Sequence, residues 1–248
     1  MTRFVRLARD GAGGLEDWGA MPSDELVAGT GQQHGRLWLD DANTGLMVGV
    51  WHCTPMTGRM DAWSTNEVMV LLDGAVTIDH ADGSSITVSK GEAFFIPKGT
   101  LCSWRQEVDL KKFFVIHSDS SGLSAADPTA LKARKIDFGG ALTPSEGPPA
   151  SLLVGPAPLC HESIAFTDLT GQLSAGVWSA TPYTRQPVVS ARHELMHVVD
   201  GEMTLSDGNG REETFVAGDT CFVPKGATAG WSSMVPVRKL FASFTPNA

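Results

Sequence analysis

The chain has no long apolar run, no closely spaced pair of cysteines and no surplus of basic residues. Each absence closes a class of function. A membrane-spanning helix needs about 20 consecutive apolar residues, and no such stretch occurs in the 248 residues. Arg3, Arg6 and Arg9 are not followed by an apolar segment, which argues against a secretory leader. Cys53, Cys102, Cys160 and Cys221 are widely spaced without a C-x-x-C pair, so a reduced, cytoplasmic chain is expected. Lys and Arg number 19 against 28 Asp and Glu, a net charge of −9. Nucleic-acid binding is driven by phosphate neutralisation, so neither nucleic acid nor a membrane is an expected partner. What remains is a globular composition, 42% hydrophobic and 19% charged. Its 27 Gly and 14 Pro suit many tight turns.

An internal repeat organises the chain. Gly49-Val50-Trp51 recurs as Gly176-Val177-Trp178, Thr54-Pro55 as Thr181-Pro182, and Glu67 as Glu194. Asp73-Gly74 recurs as Asp200-Gly201, Pro97-Lys98-Gly99 as Pro224-Lys225-Gly226, Trp104 as Trp231, and Lys112 as Lys239. Every pair keeps an offset of 127, so the copies align without a gap. Short apolar runs such as Val68 to Leu72 and Leu195 to Val199 stop at Asp-Gly, a strand followed by a turn. Many short strands at regular spacing predict an all-β sandwich or barrel for each copy. Pro, Gly, Ser and Ala dominate residues 119–156, read as a linker with one short helix capped by Asp127-Pro128. The expected organisation is an N-terminal barrel with its arm (1–118), that linker, and a C-terminal barrel (157–248).

At these residues the chain resembles the cupin superfamily, in the branch of ureidoglycine aminohydrolase and an ethanolamine-utilisation protein. The resemblance rests on Glu67 to Gly74 and Pro97 to Trp104, repeated as Glu194 to Gly201 and Pro224 to Trp231. It implies two tandem jelly-roll barrels, a bicupin, with a pocket in each. Metal-binding members carry further ligands, commonly histidines, where this chain has Asp61, Trp63 and Cys102 in the first copy. The second copy has Val188, Ser190 and Ala229 there. A lone Glu194 cannot hold a transition metal, whereas Asp61, Glu67 and Cys102 form an odd but conceivable set. No cofactor is expected outright. A divalent transition metal in the first barrel stays open.

His193-Glu194-Leu195-Met196-His197 spells H-E-x-x-H, a zinc-protease signature that works only on a helix. Its repeat partner, Asn66 to Val70, reads as strand, and on a strand the two histidines lie about 13 Å apart. A shared zinc is therefore not expected. If the motif glutamates face inward, Met69, Leu71, Met196 and Val198 do too. A buried carboxylate must be protonated or paired, and Lys112 and Lys239 are the recurring candidates. Trp63 and Trp104 are candidate aromatic walls, with Trp231 the recurrence of Trp104. Arg192 and His193 stand where they could meet an anionic ligand. Two readings follow: a small-molecule-binding bicupin with a degenerate metal site in at least the second barrel, or a metal-dependent enzyme acting on a small ureido- or amino-type metabolite. The first pocket is expected to be the richer in polar groups and the functional one. A homodimer is left open.

Overall fold

Residues 3–247, which the computed structural model describes, contain no α-helix; strands carry the fold, with three single-turn 3-10 helices. The strand Ala75–His80 buries Val76, Ile78 and His80 alternately with half-buried neighbours, the pattern of one face on a core. Asn66–Asp73 is buried nearly throughout, as its continuous Val-Met-Val-Leu-Leu run predicts. Asp73-Gly74 and Asp200-Gly201 then turn the chain back. Gly74 has φ +78° and Gly201 +81°, the left-handed region that glycine adopts freely. A Cβ there would also run into the backbone carbonyl of Asp109 or Pro236.

The chain divides into two compact units. The N-terminal unit takes in Ala8–Ile136 and Asp168–Thr170. Its larger sheet runs, neighbour by neighbour, through Arg134–Ile136, Ala93–Ile96, Asn66–Asp73, Leu110–His117, Leu46–Cys53, Gln32–Asp41 and Glu16–Ala20. The other runs through Ser85–Ser89, Ala75–His80, Leu101–Gln106, Met56–Gly58 and Leu26–Gly29. Asp61–Ala62 adds a short edge to Leu101–Gln106. Met69, Leu71, Phe94 and Ile96 from the first sheet meet Val76, Ile78, Cys102 and Trp104 from the second in one core.

The C-terminal unit takes in the described residues up to Leu7, Asp137–Thr167 and those from Gly171 on. Its larger sheet orders Val5–Arg6, Thr220–Val223, His193–Asp200, Val237–Phe244, Leu173–Ala180, Cys160–Thr167 and Thr143–Ser145. Tyr183–Val189, Thr228–Ser233, Glu202–Ser206 and Glu212–Val216 make the other. The aligned strands pair alike: Glu67 lies opposite Ile96, and Glu194 opposite Val223.

Two details differ from the expected organisation. The division between the units falls after Ile136, inside residues 119–156, but two short strands of that stretch, Arg134–Ile136 and Thr143–Ser145, are paired into sheets. Arg134–Ile136 forms an edge strand on Ala93–Ile96, because Ala133 and Ile136 have apolar side chains to bury. The arm before the first copy also changes sides. Val5–Arg6 pairs with Cys221 and Phe222, Phe4 is fully buried in the C-terminal core, and Arg6 meets Glu213 and Asp219. Asp127 does cap the single turn Pro128–Ala130, its Oδ1 accepting from Thr129 N at 3.0 Å.

Candidate functional site

Each barrel holds the same cluster. In the N-terminal barrel Lys112 Nζ donates to Glu67 Oε1 at 2.7 Å, touches Met69 Sδ at 3.2 Å, and lies 4.8 and 4.6 Å from the ring centres of Trp51 and Trp104. In the C-terminal barrel Lys239 Nζ meets Glu194 Oε1 at 2.8 Å and Met196 Sδ at 2.8 Å, between Trp178 and Trp231 at 5.0 and 5.4 Å. Ion pairing and the negative faces of two indoles offset the cost of burying the ammonium. Arg192 adds Nε and Nη2 bonds to Glu194 Oε2 at 3.3 and 3.1 Å. Burial opposes charge on Glu194, but Lys239 and then Arg192 outweigh it and hold the carboxyl at about 2.

Around this shared cluster the barrels differ. Ser174, Ser243, Glu194 and Val223 are register partners across four strands, so they share a face. The same row in the N-terminal barrel reads Met47, Ile116, Glu67, Ile96. Two serines thus replace two large apolar side chains beside the glutamate. The C-terminal barrel encloses a cavity of about 680 Å³ whose lining includes Arg185, Ser190, Glu194, Trp231, Lys239 and Ser243. Ser243 Oγ and Trp231 Nε1 are buried without a hydrogen-bond partner, a condition that costs free energy until something supplies one. Tyr183 stacks on Trp231 with centroids 5.6 Å apart, and burial raises its phenol well above the usual range despite Arg185.

The N-terminal barrel is stoppered by its own side chains. Trp63 stacks on Trp104 at 6.1 Å, and Trp18 occupies the space that a side chain at Gly35 would need. Trp104 Nε1 donates to Gln106 and Trp51 Nε1 to Gln33, leaving both indoles satisfied. What remains is a cavity of about 390 Å³, mostly apolar in lining, with Glu67 and Lys112 at one side. The richer pocket is therefore in the second copy, opposite to the expectation from sequence.

Of the residues singled out from sequence, Glu67 and Lys112 line the N-terminal cavity, and Arg192, Glu194, Trp231 and Lys239 the C-terminal one. Trp63 and Trp104 are packing partners in the N-terminal core. Cys102 is buried there too, and burial pushes its thiol up to about 11, which makes it a poor nucleophile or ligand. Asp61 is exposed on the two-residue edge strand, its Oδ1 accepting from Ala62 N at 2.7 Å. Asp61, Glu67 and Cys102 therefore do not assemble as a metal site, and Asp61 cannot act as a carboxylate partner to Glu67. Among the described residues no group of three or more His, Cys, Asp or Glu is placed to hold a metal. The donor set does not fit one, since the ammonium of Lys112 or Lys239 already meets the motif glutamate.

His193–Asp200 is a strand, so the H-E-x-x-H run is no zinc site. His193 Nδ1 accepts from Lys225 N at 3.3 Å, while His197 Nδ1 pairs with Thr220 Oγ1 at 2.8 Å and stacks on Phe138. Burial lowers the His197 pKa to about 4. Sequence reasoning missed Arg185, Ser243 and Ser174. Their signal was present in the aligned pairs Gly58/Arg185, Ile116/Ser243 and Met47/Ser174, where the second copy is always the more polar.

A profile described as an EutQ-like cupin domain matches residues 43–114 and 167–241, more than half of the chain. The chain belongs to the EutQ-like cupin family. This bicupin resembles a protein of unknown function from Pseudomonas syringae pv. tomato at 27% identity and a TM-score of 0.81, covering 98% of this chain and 100% of that one. It also resembles a cupin 2 conserved barrel domain protein from Leptotrichia buccalis (12% identity, TM-score 0.59, 93% and 98% covered). A third likeness is to Streptomyces albus HEPD, solved with 2-hydroxyethylphosphonate and Fe(II) (8%, 0.55, 99% and 76%). The last two show the shared fold alone. No curated protein matches the chain.

Proposed function

We propose that this bicupin binds a small organic molecule in its C-terminal barrel, without a transition metal, and that the N-terminal barrel is a closed copy serving the fold. The observation that carries the reading is the cavity of about 680 Å³ on which Arg185, Ser190, Glu194 and Lys239 converge. A cavity of this size with a few convergent polar groups is the usual form of a small-molecule site. A cytoplasmic location accords with four buried, unpaired cysteines. The alternative, a metal-dependent enzyme for a small ureido- or amino-type metabolite, draws on iron in a structural neighbour but lacks a donor set here.

The test swaps the stopper. Ser190 stands where the first copy has Trp63, so Ser190→Trp should close the second cavity and Trp63→Ser should open the first. A panel of small carboxylic acids, amines and sugars is scored by thermal shift, since a ligand of the native state raises Tm. The reading expects stabilising compounds whose effect disappears in Ser190→Trp. Binding that survives Ser190→Trp, or a stoichiometric transition metal in protein purified without chelators, overturns it.

A further inference from the structure

We infer that the ligand of the C-terminal barrel is a short zwitterion with its charges at opposite ends, the carboxylate held by Arg185 and the ammonium by Glu162. This inference rests on the C-terminal cavity being the working site. It starts from a pair of glycines. By the offset of 127, Gly35 and Gly58 of the first copy correspond to Glu162 and Arg185 of the second. The strand registers agree. Gly35 lies opposite Trp51 as Glu162 lies opposite Trp178. Thr57 lies opposite Arg105 as Thr184 lies opposite Ser232, and the next pair along that strand is Arg185 with Trp231.

Register partners share a face of a sheet, so Glu162 and Arg185 project inward beside the two indoles, one from each sheet of the barrel. Trp178 and Trp231 meet edge to face with centroids 5.7 Å apart. The two charged residues therefore flank one aromatic contact from facing walls, and both line the cavity. In the first copy neither position has a side chain, and Trp18 lies where one at Gly35 would go. The strand that carries Trp18 has its counterpart in Thr143–Ser145, which brings no aromatic ring. The second barrel has thus lost a plug and gained one charge of each sign.

The other charges next to these two are committed. Lys239 and Arg192 both hold Glu194. Arg185 and Glu162 line the cavity without an ion pair among the described residues. Arg185 Nη2 donates to Ala229 O at 3.1 Å, which anchors the guanidinium and leaves its other donors for a ligand. With Glu146 included, the lining sets the carboxylates of Glu146, Glu162 and Glu194 against Arg185, Arg192 and Lys239. A singly charged ligand would upset that balance. One that carries both charges matches an unpaired cation and an unpaired carboxylate on opposite walls. Its ends must be separate, because Arg185 and Glu162 do not reach each other and facing sheets stand about 10 Å apart.

The probes are the ω-amino acids from β-alanine to 6-aminohexanoate, each set against the carboxylate and the amine of the same chain length. Titration calorimetry on the full chain measures binding. At the length that binds best, the zwitterion should bind about tenfold more tightly than either singly charged partner. Arg185→Gln should erase its advantage over the amine, and Glu162→Gln its advantage over the carboxylate, each leaving the other preference in place. Loss of folding would not give that crossed pattern, and the Tm of each unliganded variant shows whether it is folded. Zwitterions no tighter than the matching carboxylate or amine, or variants that keep both preferences, overturn the inference. The cavity reading then stands if a compound of the wider panel still binds and is blocked by Ser190→Trp. Zwitterion binding that persists in Ser190→Trp, or no binding by any compound, overturns both.

Discussion

The two barrels keep the same lysine, glutamate, methionine and pair of tryptophans, yet one leaves a mostly apolar cavity of about 390 Å³ beside them and the other a more polar one of about 680 Å³. Duplication preserved the expensive part, a buried ion pair, and varied what surrounds it. In the N-terminal barrel Met47, Ile116 and Trp63 pack against the core, and Met47 and Ile116 give the cavity its apolar wall. In the C-terminal barrel Ser174, Ser243 and Ser190 stand at those positions and line the cavity. The difference teaches that in this chain the motif marks a packing device, and the substitutions around it decide whether there is room for a ligand.

The largest expected effect breaks the comparison at the ion pairs. Lys112→Met leaves Glu67 buried without its cation and should cost about 3–5 kcal/mol of stability. Lys239→Met should cost less, about 1–3 kcal/mol, because Arg192 still holds Glu194 and the cavity lies beside it. Urea unfolding of both variants gives the ratio; equal losses would mean that the two clusters are equally sealed. The double change Glu67→Leu with Lys112→Met should recover most of the first loss.

Acid sharpens the contrast next. His197 is held neutral by burial, with its folded pKa lowered from about 6.5 to about 4. A depressed histidine contributes nothing at neutral pH relative to the unfolded chain but must be charged at a cost in acid. Stability should therefore fall as pH drops from about 6.5 toward 4, by on the order of 3 kcal/mol. Glu194, depressed to about 2, adds a second loss of the same sign between its usual range and 2. His197→Gln should flatten the first window and leave the second, read as Tm against pH.

The smallest effect separates two carboxylates that the sequence placed together. Asp61→Asn should change stability by no more than about 0.5 kcal/mol, as exposed substitutions do. A loss comparable to that of Lys112→Met would put Asp61 back in the barrel.

How much was legible follows from the same residues. The offset of 127 between Glu67 and Glu194 was enough to expect two all-β barrels, and Asp-Gly after an apolar run was enough to expect their turns. The inward glutamates and their lysine partners were legible because alternation on a strand fixes which side chains share a face. The identity of the open barrel was not. Two carboxylates and a thiol in the first copy look polar in a line of letters, but Asp61 lies on an exposed edge and Cys102 in the core. Volume belongs to the sum of facing side chains, and Trp63, read as a pocket wall, fills that volume instead.

The edge strands carry a consequence for how the molecule is made. Val5–Arg6 completes a sheet whose other strands lie beyond residue 142, pairing with Cys221 and Phe222. During synthesis Val5 and Arg6 must wait until Cys221 and Phe222 have been made before they find their partners. Phe4 and Leu7 stay uncovered meanwhile, and such long sequence separation slows the closing step. A chain clipped ahead of Ala8 would lack this outermost strand, leaving Thr220–Val223 as a bare β-edge open to other chains.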